Sequence, residues 1–309
     1  MMGIETLSAI LVAMVVAATP LVFAATGELV VERSGVLNLG VEGMMLVGAV
    51  SGFAAAVAFG NPVIAVAAAA AAGAVMALVF GVLTLSLLAN QVATGLALTI
   101  FGIGLSSLIG KGFVGTPLDR LPRIDLPVLT DIPVLGPVVF GQDLMVYLGI
   151  ALVVSVWWFL ERTRAGLVLR AVGDNHDAAH AIGYSVIGVR YATVAFGGAM
   201  SGMGGAYLSL AYSPMWAENM TAGRGWIALA LVVFATWRPG RVLVGAWLFG
   251  GVTIAQLHVQ GTGLAVPSQF MSMLPYLATI LVLVLISRDA TRIRLNAPAC
   301  LGKVFHPAA

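Results

Sequence analysis

A chain of 309 residues that is 60% hydrophobic and only 9% charged is not a soluble globular domain, in which about a quarter of residues carry charge. Its net charge of +2 is small and scattered, so it reads as an asymmetry between loops and excludes a nucleic-acid-binding surface. The single cysteine, Cys300, excludes an internal disulfide.

Apolar runs of about 20 residues recur along the chain, each long enough to cross ~30 Å of hydrocarbon as a helix. The expected fold is all-α: one polytopic transmembrane helical bundle over residues 1–309, with eight to ten spans and room for broken or re-entrant helices. The first span is Thr6–Thr26, with Pro20 a kink. The start of the chain is apolar but has no basic residue before it, so it reads as a retained span and not a signal peptide. Gly27–Gly43 follows, a polar interruption with Glu28, Glu32, Arg33, Asn38 and Glu42, which either edges the membrane or dips into it. Span two is Met44–Phe59, Asn61-Pro62 is a turn, and span three is Val63–Leu88. Asn90 and Gln91 interrupt before span four, Val92–Ile109. Lys111–Gln142 carries five prolines (117, 122, 127, 133 and 137) and reads as an ordered loop outside the membrane. Span five, Asp143–Leu160, leads to the polar loop 161–190. Spans six and seven are Tyr191–Leu210 and the short Trp226–Trp237, which has the length of half a helix. Spans eight and nine are Val242–Val259 and Met271–Ser287, followed by a tail over 288–309.

Loop 161–190, the turn Arg238–Arg241 and the tail hold ten of the fifteen basic residues, and alternating spans put all three on one side. By the positive-inside rule that side is cytoplasmic, including the C-terminus. Lys111, Arg120, Arg123 and Arg224 take the other side. In span six, Gly197, Ser201 and Gly205 recur every four residues, as do Gly198 and Gly202, a spacing that lets helix backbones approach closely in lipid.

Three groups of residues are candidates for function. In loop 161–190, Asp174 or Asn175 caps a short helix whose Ala178, Ala179 and Ile182 share a face, and Gly183 stops it. The loop is then either solvated or a docking helix for a partner outside the membrane. Asn38, Glu42, Asn90, Gln91 and Thr94 sit at the edges of apolar spans beside glycines, where polar groups either line a cavity or cap helices at the boundary. His176 and His180 have the i, i+4 spacing of a zinc helix, but the acid after the first is Asp177 and no third ligand is evident, so no metal is expected. No GxxxxGK[ST] loop occurs, and no cofactor is implied.

Four motifs in order carry a resemblance: GVLNLGVEGMM from Gly35, ANQVATG from Ala89, RAGLVLRAVGDN from Arg164 and MTAGRGWIALA from Met220. Together they resemble the inner-membrane permeases of bacterial ABC importers in the branched-chain amino acid and simple-sugar superfamily, and most closely the nucleoside-uptake permeases. The likeness extends from Leu7 to Ser287. It implies a multi-pass transport subunit in the bacterial inner membrane, with no catalytic residue, working with an ABC ATPase, a second permease subunit and a substrate-binding lipoprotein. It also implies that Gly166–Gly183, with Arg170, Gly173 and Asn175, is the element coupled to the ATPase. The sequence departs from that pattern at His176 and at Ala235-Thr236, where a glycine-containing turn is usual. An ion-coupled secondary transporter is the rival reading, and it lacks a clear pair of intramembrane coupling acids.

Overall fold

The computed structural model describes residues 3–124, 127, 129–261, scattered positions between 270 and 284, and 296–306. Helix α1 (Ile4–Arg33) runs 30 residues through Pro20 without a break. The polar interruption expected at Gly27–Gly43 therefore begins inside a helix. Glu28 and Glu32 are one turn apart on α1 and both are buried, because each faces a donor supplied by another part of the chain. The helix ends at Ser34, and Gly35 turns the chain back at φ +88°.

Residues 36–40 then run inward along α1, and α2 (Val41–Phe59) starts within the bundle. At the expected turn, Asn61 accepts N–H bonds from Val63 and Ile64 and Pro62 opens α3 (Pro62–Gly81), which ends in a π-helical turn at Val82–Ser86. Asn90 caps α4 (Gln91–Gly110) and Asp143 caps α5 (Leu144–Arg162). Two short helices follow, α6 (Arg164–Asp174) and α7 (His176–Ala181), then α8 (Val186–Tyr207) with a π turn at Leu208–Tyr212. The loop predicted at 161–190 is thus mostly helical and narrower, since α5 reaches Arg162 and Ser185 caps α8 early through Gly188 N–H. Helix α9 (Arg224–Phe234) has 11 residues, the half-helix expected of span seven, and α10 (Pro239–Gly261) replaces span eight. The ninth span, Met271–Ser287, lies largely outside the described residues, as do Arg288, Arg292 and Arg294 of the tail.

Among the described residues, six helices are long and apolar enough to cross a membrane: α1, α2, α3 with its π turn, α4, α5 and α10. Helix α8 is the packing centre, with α1, α2 and α3 around it. Its glycine spacing has the expected effect. Gly202 abuts Gly48 and Ala69, Gly198 abuts Gly73, and Gly205 lies on the Met45 carbonyl. At these positions backbone meets backbone, so the contact has no flexible side chain that could move aside.

Gly205→Ala should therefore destabilise the bundle by about 1–3 kcal/mol or more, the usual cost of overpacking. Gly104→Ala, in open space on α4, should be neutral or stabilise by up to about 1 kcal/mol, the helix-propensity gain. Thermal unfolding midpoints in detergent check this, and equal midpoints for the two variants would contradict it.

Candidate functional site

Two interruptions that were separate in the sequence meet inside the bundle. Helix α9 begins in the interior, and the Glu42 carboxylate at the start of α2 sits on its N-terminus. Glu42 Oε1 accepts from Thr221 Oγ1 at 2.5 Å and from Gly223 N–H at 2.8 Å, and Oε2 accepts from Gly225 N–H at 2.5 Å. A carboxylate there satisfies donors left over at the helix start and complements the positive end of the helix dipole. Gly225 allows the approach, since a Cβ would lie 2.5 Å from Glu42 backbone, and Gly223 adopts φ +83°. At the other end of α9, Trp237 Nε1 donates to Glu32 Oε2 at 2.6 Å and Arg33 Nη2 donates to the Trp237 carbonyl at 2.9 Å. Two carboxylates and one arginine thus hold both ends of the short helix.

The leg 34–40 is fixed in the same way. Asn38 N–H donates to Glu28 Oε1 at 3.2 Å and Leu37 N–H to Gln91 Oε1 at 2.8 Å, while the Asn38 side chain accepts from Gly40 N–H at 2.9 Å. Thr99 Oγ1 donates to the Leu39 carbonyl at 3.0 Å. Asn38, Glu42 and Gln91 are buried at 0%, 3% and 3% exposure. Asn90 is exposed and caps α4 through Ala93 N–H, and Thr94 is half-buried beside Val79, Leu83 and Phe101 in an open groove. Gln91 Nε2 and Glu28 Oε2 have no hydrogen-bond partner, although each side chain holds a neighbouring residue of the leg with its other polar atom.

The docking candidates divide between two faces. Asn175, not Asp174, caps α7, accepting from Ala178 N–H at 3.0 Å, and Gly183 ends it at φ +92°. Ala178 and Ile182 point outward, and Ile182 is 72% exposed. Ala179 does not share their face. It is buried with Val172, Val186 and Phe305, because the α7–α8 turn folds its side of the helix over the C-terminal segment. Leu167 and Tyr184 are exposed nearby. Gly166 packs on the Phe159 carbonyl and Gly173 on the Arg33 carbonyl, both too closely for a side chain, while Arg170 is half-buried. The histidine pair frames Phe305, each ring edge-on at 5.3 Å, and no group of metal-ligating residues occurs among the described residues.

Arg190, which the sequence analysis placed in the loop, is buried in the second turn of α8. Segment 296–306, read only as a tail, is fixed against the same end of the bundle. Arg33 Nη1 donates to the Asn296 carbonyl at 3.1 Å, and Cys300 N–H donates to the Gly173 carbonyl at 2.9 Å. The three basic segments assigned to one side thus meet at one end of the bundle. The only sequence signal for this was the charge count.

If Glu42 holds α9 in place, Glu42→Gln presents one amide N–H₂ to donors that need an acceptor. The loss should be about 1–3 kcal/mol, the cost of a buried unsatisfied donor, read as a lower unfolding midpoint and faster proteolysis at 213–223. An unchanged midpoint would remove Glu42 from that role.

Residues 10–285 match the family described as branched-chain amino acid transport system / permease component. The chain is 42% identical, over 95% of its length and 96% of the other's, to a protein of Haloferax volcanii provisionally named a glucose ABC transporter permease. It is 33% identical to a nucleoside ABC transporter permease of Lactococcus lactis, over 91% of this chain and 93% of that one. It is 35% identical to a guanosine ABC transporter permease of Bacillus subtilis, over 91% and 92%. No solved structure matches it.

Proposed function

This chain belongs to the permease-component family of branched-chain amino acid transport systems, as a multi-pass membrane transport subunit and not an enzyme, and from that premise we propose that it carries a nucleoside across the bacterial inner membrane. The observation behind a hydroxyl-bearing cargo is the pair of unpartnered buried groups at leg 34–40: an amide donor on Gln91 and a carboxylate acceptor on Glu28. A hydroxyl both donates and accepts, so it can satisfy such a pair when the bundle opens. Glu32 and Glu42 are spent on Trp237 and α9. In this reading Asn90, Gln91 and Thr94 face the path, and Asn38 and Glu42 shape it from behind. A simple sugar is the second reading, favoured by the 42% identity to the glucose relative.

Energy enters at the cytoplasmic end. We assign α6–α7 as the docking element for a separate ABC ATPase, with the C-terminus on the same side. Leu167, Ile182 and Tyr184 expose large apolar surface beside Arg162 and Arg164, outside the spans. Such side chains suit a protein groove. A substrate-binding lipoprotein delivers the solute, and a second, different permease subunit completes the bundle. ATP binding would rock the docking element and open the bundle alternately to each side.

Uptake of labelled guanosine and glucose by vesicles bearing the assembled importer separates the two cargoes. Guanosine uptake, inhibited by other nucleosides but not by glucose, is expected, and the reverse pattern would assign the sugar. Gln91→Glu keeps the acceptor for Leu37 N–H but removes the free donor, so uptake should fall about tenfold or more at normal assembly. Equal uptake would take Gln91 off the path.

Ile182→Glu tests docking without touching the core. It should cut capture of the ATPase by about tenfold or more, since a charge desolvated without a partner is expensive. Undiminished capture would overturn the assignment of α6–α7.

A further inference from the structure

The Arg190 guanidinium, 1% exposed, serves three segments that are remote in sequence. Nε donates to the Ser34 carbonyl at 3.2 Å, Nη1 to the Lys303 carbonyl at 3.2 Å, and Nη2 to His176 Nδ1 at 3.1 Å. The first belongs to the leg beside the path, the second to the C-terminal segment, the third to α7. Arginine has no acceptor, so His176 Nδ1 must accept, and the ring is neutral with its proton on Nε2. Backbone bonds join the same three segments around it. Cys300 N–H meets the Gly173 carbonyl at 2.9 Å and Gly302 N–H meets the Gly35 carbonyl at 3.0 Å. Glycine is required at 173 and 35, since a side chain at 173 would overlap the Arg33 carbonyl and one at 35 would lie 2.9 Å from Arg190 Nη2.

We propose that Arg190 is a positioning residue that transmits displacement of α6–α7 to leg 34–40, with segment 296–306 as the third member of one rigid junction. The proposal rests on the reading of α6–α7 as the docking element. A planar fork with several donors in fixed directions is the side chain that can hold three acceptors in register. Arg190 also lies at the base of α8, so what moves it bears on the packing centre of the bundle.

His176 makes the junction sensitive to pH. Burial, then the Arg190 charge, hold its imidazole below the ordinary histidine value, and Lys303 adds to the lowering while Asp177, 3.7 Å from Nε2, opposes it. These groups and His180, across Phe305, are the titratable or charged ones that face it. Protonation would turn Nδ1 into a donor aimed at a guanidinium. The folded junction favours the neutral ring, so this arm is intact above the ordinary value of about 6.5 and is lost only as pH falls through the lower value the imidazole has in the folded protein.

The test uses the whole importer in vesicles and reads solute delivered per ATP hydrolysed, together with ATPase capture. Arg190→Lys keeps the charge but supplies donors from a single point. Capture should match the unaltered protein, hydrolysis should continue, and delivery per ATP should fall about tenfold or more. His176→Gln retains an acceptor that does not titrate. Its delivery per ATP should stay level as pH falls below about 6.5, where the unaltered importer declines once its buried imidazole takes up a proton. Normal delivery per ATP in Arg190→Lys would overturn the proposal. So would capture, hydrolysis and uptake falling in proportion, the mark of a structural role, or a His176→Gln profile that follows the unaltered one. Failure of the docking reading shows separately, as ATPase capture indifferent to Ile182→Glu.

Discussion

The constraint behind the whole structure is that lipid offers no hydrogen bonds. A helix that breaks inside the membrane must find partners for its freed backbone groups within the protein. Among the described residues the chain breaks in the interior at leg 34–40 and before α9, and it meets both breaks with carboxyl groups. Glu42 takes up the N-terminus of α9, Glu28 takes the Asn38 N–H, and Glu32 takes the Trp237 indole. Each acid has at least one such donor, and Glu42 has three, while Glu28 Oε2 is left without a partner. Broken backbone and buried carboxyl groups are therefore mutually dependent, and losing either leaves donors or acceptors of the other unsatisfied.

That arrangement needs a rigid surround, which the glycine faces provide. The backbones of α1, α2 and α3 lie against α8 through Gly27, Gly48, Gly73, Gly197, Gly198, Gly202 and Gly205. Close approach maximises dispersion contact where the hydrophobic effect between helices is absent. Because most of these contacts include backbone on backbone, with the Val31, Ala77 and Met200 side chains filling in at Gly197, Gly198 and Gly27, α8 cannot shift gradually against its neighbours. It holds one packing or moves with the helices around it. A small rotation at its Arg190 end would then be carried along its length.

What the sequence made legible follows its local physics. Helix class, the short span seven, the turn at Asn61-Pro62, the Asn175 cap and the glycine face all arise from nearest-neighbour rules, and they are as expected, while Asn61 and Asn90 also turn out to cap the helices that follow them. What was hidden depends on distant partners. Gly27–Gly43 looked like a break from its first residue, since nothing local reveals that Glu28 and Glu32 have donors at Asn38 and Trp237. Ala179 looked equivalent to Ala178, because the face that Phe305 covers is set more than a hundred residues later. The missing glycine at Ala235-Thr236 is resolved by strain. Thr236 and Trp237 both take left-handed backbone, at φ +49° and +53°, where glycine would be easier. Such a conformation costs about 1–3 kcal/mol per residue and persists only when over-determined. Here Arg241 donates to Thr236 Oγ1 at 2.6 Å and Arg33 holds the Trp237 carbonyl.

The two functional regions therefore share a boundary, and leg 34–40 is on both sides of it. Its first residues, Ser34 and Gly35, accept from Arg190 and from the C-terminal segment, and its last, Leu37 to Gly40, are held by Glu28, Gln91 and the Asn38 side chain. Ser34 to Asn38 donate their N–H groups to partners outside the leg, on α1 and α4, while Gly40 N–H is held by the Asn38 side chain. A shift imposed at Ser34 must reappear at Leu37 and Asn38, where the unpartnered atoms of Gln91 and Glu28 lie. Coupling over such a distance requires an element with two discrete arrangements that both ends can bias. The leg is held by single hydrogen bonds of 2.8 to 3.2 Å together with the packing of Val36 and Leu39 against the core. Through those anchors the leg ties α1 and α4 to the junction at Arg190, an arrangement that suits a carrier that must open to each side in turn.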